Sequence, residues 1–308
     1  ASRQPVLQLF DPAVSSSTPA MQITGSYYLE WSGTEEGVIL IEWDGPDHIV
    51  PGCTVQSENP FEMAPLQNSL LLDSHVGERY AVDFSGEHAC LPAIVVRPAS
   101  VEELSEVLAT CNELGAAVVV QGGLSGLSGG ATPQPGEVAV SLERLCGIEE
   151  IDTAGGTATV LAGTPLQVLQ EAAADADMLF PLDLGARGSC TIGGNIATNA
   201  GGNQVIRFGM MRALVLGLEA VLADGTVVSS MNKMLKNNAG YDLKQLFIGT
   251  EGTLGVVTRA VLRLFPKPAS RQSALVALND FEDVTAFLTP LRRRLAVEMI
   301  IAARPPSN

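Results

Sequence analysis

The residues best suited to chemistry in this chain are glycines set among small polar side chains. The stretch Gln121-Gly122-Gly123-Leu124-Ser125-Gly126-Leu127-Ser128-Gly129-Gly130 has five glycines in the nine residues from Gly122 to Gly130. It follows Ala116 to Val120, an apolar run that reads as a buried strand. Successive N–H groups of such a loop can converge on an anion. Ligand crevices open at the C-terminal edge of parallel sheets. The pattern points to a pyrophosphate. A second stretch, Gly185 to Gly202, has six glycines in eighteen residues, with Ser189, Thr191, Asn195 and Asn199 as uncharged donors and acceptors. Thr191 to Ala200 reads as a short helix whose N-terminus, with Gly193 and Gly194, faces a phosphate. In a third stretch, Asn237 to Thr258, Asp242 reads as the cap of a short helix through Phe247. Glu251 reads equally as a structural hydrogen-bonding residue or a ligand contact. Gly255 and Val256 could offer backbone groups to a flat ring system.

Rival chemistries lack their residues. Neither G-x-G-x-x-G nor G-x-x-x-x-G-K-[ST] occurs, so Rossmann and Walker sites are unsupported. Gly126-Leu127-Ser128-Gly129-Gly130 formally fits G-x-S-x-G, but Pro133 and Pro135 follow where that elbow needs a helix. The three histidines, His48, His75 and His88, all lie upstream of it. No H-E-x-x-H and no closely spaced cysteine pair is present, so no metal site is expected.

The elements that must hold these segments are legible from periodicity and punctuation. Ala93 to Arg97 and Ala116 to Val120 read as buried parallel strands joined by a helix that Ser100 and Glu103 cap and Gly115 ends. Val138 to Ser141 reads as a third strand. Ile148–Ile151 with Thr157–Leu161, and Leu214–Leu222 with Thr226–Ser229, read as hairpins. Thr164-Pro165-Leu166-Gln167 reads as a second capping box opening a helix to about Ala174. Leu254 to Phe265 reads as a long strand and 281–291 as a last helix. A parallel unit is thus followed by a largely antiparallel one. Upstream, Tyr27–Trp31 and Val38–Trp43 read as short strands after a mobile lead-in over 1–20.

Composition narrows the partners. The 308 residues carry 18 Lys+Arg against 34 Asp+Glu, a net charge of −16, which argues against nucleic acid and anionic membrane surfaces. No apolar run reaches the roughly 18 residues of a membrane span. Five widely spaced cysteines suit reduced, buried thiols, and Ala1 to Ala20 lacks the apolar centre of a secretory signal, so a cytoplasmic location is expected. Glycine stands at 31 residues, above the usual share of about 7%.

Taken together, Val95-Val96-Arg97-Pro98, Gln121 to Gly130, Pro181 to Gly185, Gly188 to Gly202 and Asn238 to Thr258 resemble the FAD-linked oxidase family of the vanillyl-alcohol oxidase/PCMH superfamily. The nearest branch is that of D-lactate and D-2-hydroxyglutarate dehydrogenases and glycolate oxidase FAD subunits. The resemblance implies an α+β, PCMH-type FAD-binding fold of two α+β subdomains, 71–150 and 151–268. Residues 1–70 would be a short β-rich, partly disordered N-terminal extension, and 269–308 the start of a truncated C-terminal region. It implies noncovalent FAD, because Leu124 and Ser125 stand where some relatives attach flavin through a histidine. Cofactor contacts would come from Gln121, Gly122, Gly123, Leu124, Ser125, Gly126, Leu127, Gly185, Ser189, Thr191, Gly193, Gly194, Asn195, Asn199, Glu251, Gly255 and Val256. The implied reaction is oxidation of a small 2-hydroxy acid, with hydride passing to flavin N5 while a base takes the hydroxyl proton. Two departures open an alternative. The family's cap carries an H-x-G-D-G-N-x-H-like segment, and this chain has no histidine after His88. Leu235 and Ala239 stand where the hydroxyglutarate branch has a carboxylate-binding Arg and Thr, with Lys233 and Lys236 nearby. The alternative is a noncatalytic FAD-binding subunit, or a truncated relative whose partner chain supplies the cap.

Overall fold

The computed structural model describes residues 27–30, 38–41, 70–72, 76–270, 276, 278 and 280–294. The lead-in over 1–20, both tryptophans and all of 42–69 lie outside the described residues. Strands β1 (Tyr27–Glu30) and β2 (Val38–Ile41) pair antiparallel, Tyr27 opposite Ile41. They belong to a unit separate from the one that carries everything below.

The main unit begins with a four-stranded sheet of β3 (Leu70–Leu72), β4 (Ile94–Val96), β5 (Val118–Gln121) and β6 (Val138–Ser141), in the order β3-β4-β6-β5. β4, β6 and β5 run parallel, and β3 is antiparallel to β4. The two strands expected to form one β-α-β pair are indeed parallel, but β6 lies between them. Helix α1 (Val101–Leu114) connects β4 to β5. Ser100 Oγ accepts the Glu103 N–H at 3.2 Å, and Glu103 accepts the Ala99 N–H at 2.8 Å. Gly115 ends the helix at φ +64°, the left-handed geometry that glycine adopts without a Cβ penalty.

The rest of the unit is built on an antiparallel sheet, β11-β10-β12-β8-β7. Its strands are β7 (Ile148–Asp152), β8 (Thr157–Leu161), β10 (Val215–Val221), β11 (Val227–Ser230) and β12 (Val256–Arg263). Four helices lie along this stretch: α2 (Leu166–Asp175), α3 (Ile192–Ala197), α4 (Val205–Phe208) and α5 (Met211–Leu214). Further on come α6 (Lys244–Phe247) and α7 (Phe281–Arg294), which contains Pro290. Strand β9 (Met178–Leu179) pairs with β13 (Phe265–Pro266), so the long strand expected through Phe265 breaks into two. Thr164 does not cap α2. Its hydroxyl bonds the Gly147 N–H and C=O, both at 2.9 Å, and Pro165 takes the cap position without a side-chain bond.

One apolar core joins both sheets. Ile94 and Val96 of β4 pack with Leu104, Val107 and Leu108 of α1, and the cluster continues through Val160, Val221 and Val257 of the antiparallel sheet. The pleat turns Val95, Val119 and Ala139 to the opposite face, where Tyr80 closes them off. The turn Glu78–Tyr80 therefore lies against the back of the parallel sheet and leads straight to Asp83. Cys90 is disulfide-bonded, which corrects the expectation of thiols throughout; Cys111, Cys146 and Cys190 are free.

Candidate binding site

The first glycine loop leaves β5 at its C-terminal end. Gln121 is fully buried, and its side-chain NH₂ donates to Tyr80 O at 2.8 Å and Ala131 O at 2.9 Å. These two bonds, with Asp83 N–H to Thr132 Oγ1 at 3.2 Å and Phe84 N–H to Leu124 O at 2.9 Å, lace the loop to a strap over 80–84. Leu124 stands at φ +53°, an uncommon conformation for a side-chain-bearing residue. From Gly123 to Gly130 no backbone N–H has a protein acceptor among the described residues. Ser125 is half-buried, and Gly126, Leu127 and Ser128 are exposed.

The second segment uses its donors differently. Ser189 and Cys190 N–H both donate to Ala186 O, Ile192 N–H to Thr164 O, and Gly193 N–H to Ala162 O. Thr191 Oγ1 caps α3 by accepting the Gly194 N–H at 3.3 Å. The N-terminus of α3 therefore has its first three N–H groups occupied by protein, and the expectation that it faces a phosphate changes accordingly. Asn195 is buried, with its NH₂ 3.6 Å from Cys190 Sγ, and burial pushes the Cys190 thiol up to about 11. Ser189 Oγ donates to Ala186 O at 3.3 Å, and Gly185 is half-buried in the preceding turn.

The third segment ties the other two together. Gly249 N–H donates to Ile196 O, and Glu251 N–H to Ala197 O at 2.9 Å, so it caps the last turn of α3. Glu251 and Asn199 both hold left-handed conformations, φ +53° and +48°. Asn199 Oδ1 accepts the Arg212 N–H at 2.9 Å. The Arg212 guanidinium donates to Gln245 O, Gln245 Oε1 and Ile248 O. Glu251 Oε2 reaches the first loop, 2.4 Å from where a Gly130 methyl would stand. Gly255 packs under Phe247, and Val256 is buried at the start of β12. Thus Gly122 and Gly123 lie against Thr191 and Ser189, and Gly130 against Glu251, so the three segments adjoin at one junction, while Leu127 is exposed and Val256 is buried in β12.

Asp242 does not cap α6 with its side chain. Its carboxylate accepts from Lys244 Nζ at 2.5 Å, which holds it below its usual range, and from Gln245 Nε2. Lys233 is likewise engaged, 2.5 Å from Glu150 Oε2 and 3.8 Å from Asp152 Oδ2. Lys236 is exposed. Among the described residues no cluster of three or more His, Cys, Asp or Glu is set to hold a metal, and no helix is long and apolar enough to cross a membrane. The sequence did not single out Asp83, Tyr80, Thr132 or Arg212. Only Asp83 carried a readable sign: in Asp83-Phe84-Ser85-Gly86, Asp83 Oδ1 accepts the Ser85 N–H at 3.0 Å, an Asx turn.

An unpaired series of N–H groups at the end of a parallel strand suits the oxygens of a pyrophosphate, and residues 92–230 match the FAD binding domain family. The chain carries an FAD binding domain. Several relatives share more than this domain with it. A D-2-hydroxyglutarate dehydrogenase of Xanthomonas citri pv. viticola is 42% identical over 221 residues, covering 72% of this chain and 47% of that protein. A mitochondrial D-2-hydroxyglutarate dehydrogenase of Rattus norvegicus is 38% identical over 259 residues, 83% of this chain and 48% of that one. A putative mitochondrial D-lactate dehydrogenase of Schizosaccharomyces pombe is 36% identical over 218 residues, 71% and 41% of the two. The chain spans about half the length of the relatives it matches. Among solved structures, alkyldihydroxyacetonephosphate synthase superposes with a TM-score of 0.64 at 18% identity, over 87% of this chain and 48% of that one. The fold around the FAD binding domain is therefore the α+β, PCMH-type FAD fold expected from the sequence.

Proposed function

We propose that the chain holds FAD noncovalently on the Gly122–Gly130 loop, as part of an oxidoreductase that converts a small 2-hydroxy acid to its 2-oxo acid. The observation that carries this reading is the run of unpaired N–H groups from Gly123 to Gly130. When bound, FAD supplies the acceptor for the two electrons of that oxidation. The chain's own part is to seat and orient it. Gln121 fixes the root of the loop, and Gly122, Gly123, Leu124, Ser125, Gly126 and Leu127 present backbone donors to pyrophosphate. Gly185, Ser189, Thr191, Gly193, Gly194, Asn195 and Asn199 shape the wall beside it, Glu251 joins that wall to the loop at Gly130, and Gly255 and Val256 brace it from the buried side. The relatives' names support the substrate class. We assign no base in this chain to the hydroxyl proton.

A second reading is favoured by the residues at the carboxylate-binding positions of the resemblance. Leu235 and Ala239 have no charge, and Lys233 is paired with Glu150. In that reading the substrate half of the site comes from a partner chain or from further sequence. We keep the subdomain bounds at 71–150 and 151–268, the break at 150 falling inside β7 (Ile148–Asp152).

Titration of the purified protein with FAD, read by flavin fluorescence, tests the binding reading. Quenching that saturates at one FAD per chain supports it, and no binding overturns it. Anaerobic addition of D-2-hydroxyglutarate, D-lactate or glycolate to the yellow protein separates the two functions. Bleaching supports the enzyme, and an unchanged spectrum supports the binding subunit. Flavin released by acid precipitation supports noncovalent attachment. We place the protein in the cytoplasm; the Cys90 disulfide and the mitochondrial relatives make cell fractionation the test, with a mitochondrial signal as the outcome that overturns it.

A further inference from the structure

Two buried acceptors lie under the first glycine loop with no donor of their own. Asp83 is 4% exposed and Gln121 is 0% exposed, and Asp83 Oδ2 and Gln121 Oε1 are both without a hydrogen-bond partner. Gln121 cannot remedy this by turning its amide over, because its NH₂ already serves two carbonyls, Tyr80 O and Ala131 O. Asp83 is the more telling case. Its Oδ1 makes the Asx-turn bond to the Ser85 N–H. An asparagine would make that bond equally well, so the turn leaves the buried charge unexplained.

The free oxygen points at the loop. A methyl group on Gly126 would stand 3.2 Å from Asp83 Oδ2. Gly126 belongs to the series whose N–H groups have no protein acceptor. Donors without acceptors thus adjoin a carboxylate oxygen without a donor. The strap that carries Asp83 is fastened to the loop on both sides of this point, through Thr132 and through Leu124.

We propose that Asp83 is a positioning residue for the Gly123–Gly130 loop: the pull of its buried carboxylate beside Gly126, exerted without a hydrogen bond, orients the loop so that its N–H groups meet the pyrophosphate of the cofactor. The role rests on the FAD-binding reading above. Asp83 itself touches no phosphate. It acts as the internal anion on one side of the loop, so that the external anion meets a preset donor surface on the other.

The variant Asp83→Asn keeps the shape and the turn bond but gives the loop an amide in place of a carboxylate. Three readouts are compared in parent and variant: thermal unfolding without FAD, FAD affinity by fluorescence titration, and hydrogen exchange of the loop amides with and without FAD. The expected result is unchanged unfolding without FAD, FAD binding weakened about tenfold or more, and loss of the FAD-dependent slowing of exchange over 123–130. Gly126→Ala approaches the same contact from the loop side and is expected to weaken FAD binding to a similar degree. If both variants bind FAD within about twofold of the parent, with the parent's exchange pattern, Asp83 has no such role. If Asp83→Asn does not fold, Asp83→Ser, which keeps a side-chain acceptor for the turn and removes the carboxylate, decides by the same criteria. A parent that binds no FAD overturns the FAD reading and this role together. A parent that binds, beside variants that bind equally, overturns the Asp83 role alone.

Discussion

The two glycine-rich segments look alike in composition and do opposite things with their backbone. In the first, the chain from Gly123 to Gly130 leaves its N–H groups without protein acceptors. In the second, Ser189, Cys190, Ile192, Gly193 and Gly194 all donate within the protein. The reason for glycine differs by position and not by segment: in the first loop a methyl group on Gly123 would stand 1.8 Å from Ser189 O. At Gly202 a methyl group would stand 1.7 Å from Asp183 O, so glycine there lets two stretches of backbone touch. At Gly129 nothing lies within 4 Å, and what glycine provides is the conformation at φ +74°. Abundant glycine therefore marks close backbone approach, but only the hydrogen-bond inventory separates approach to a ligand from approach to the protein itself.

Four measurements would break or sharpen this contrast. Gly202→Ala should cost about 3 kcal/mol or more in urea unfolding, because the obstacle is a backbone carbonyl. Gly129→Ala should cost only about 1 kcal/mol, the left-handed penalty; an equal loss at both positions would break the contrast. Next, thiol access should differ between the segments. In a Cys146→Ser background, Ser128→Cys should label readily with a maleimide at pH 7.5. Native Cys190, buried with its thiol pushed up to about 11, should label at least about 100-fold more slowly. Burial raises Cys111 to about 11 as well. Both thiols stay protonated in the fold to higher pH than in the unfolded chain, so stability should fall as pH rises from about 9 toward 11. Third, Thr191→Ala should cost about 1 kcal/mol through loss of the α3 cap, and Thr191→Ser should restore most of it. Last, the left-handed residues of the two segments should respond with opposite signs. Leu124→Gly should gain about 0.5 kcal/mol by relieving φ +53°. Asn199→Gly should lose about 0.5 kcal/mol, because the Arg212 N–H loses its side-chain acceptor.

Much of the fold was legible because the signals are local. Ser100, Glu103 and Gly115 delimit α1 through bonds made within a turn of the helix. The hairpins around Asp152–Gly156 and Asp224–Gly225 announce themselves through turn residues. What was not legible depends on distant partners. Val95, Val119 and Ala139 sit in strands buried on both faces, so nothing in their pattern says that β6 lies between β4 and β5. Thr164 had the right spacing for a cap, but its hydroxyl goes to Gly147, seventeen positions away. Within the site, the three segments were visible as glycine-rich stretches. That Glu251 would close the end of α3 and reach Gly130 was not, because a lone acid carries no periodic signal.

Helix α3 has only six residues, and both ends are fastened: the Ile192 and Gly193 N–H groups to Thr164 and Ala162, the Ile196 and Ala197 carbonyls to Gly249 and Glu251. One inserted residue would turn one end against the other by about 100°, breaking one set of bonds or the other. The stretch 233–243 is exposed throughout, and its ties at Lys233 and Asp242 are made by side chains. Changes of length during the divergence of such chains should therefore be absent from 190–201 and collect in 233–243. A six-residue helix fastened at both ends is then the junction's most conservative measure of length, and the exposed stretch 233–243 the place where lineages are free to differ.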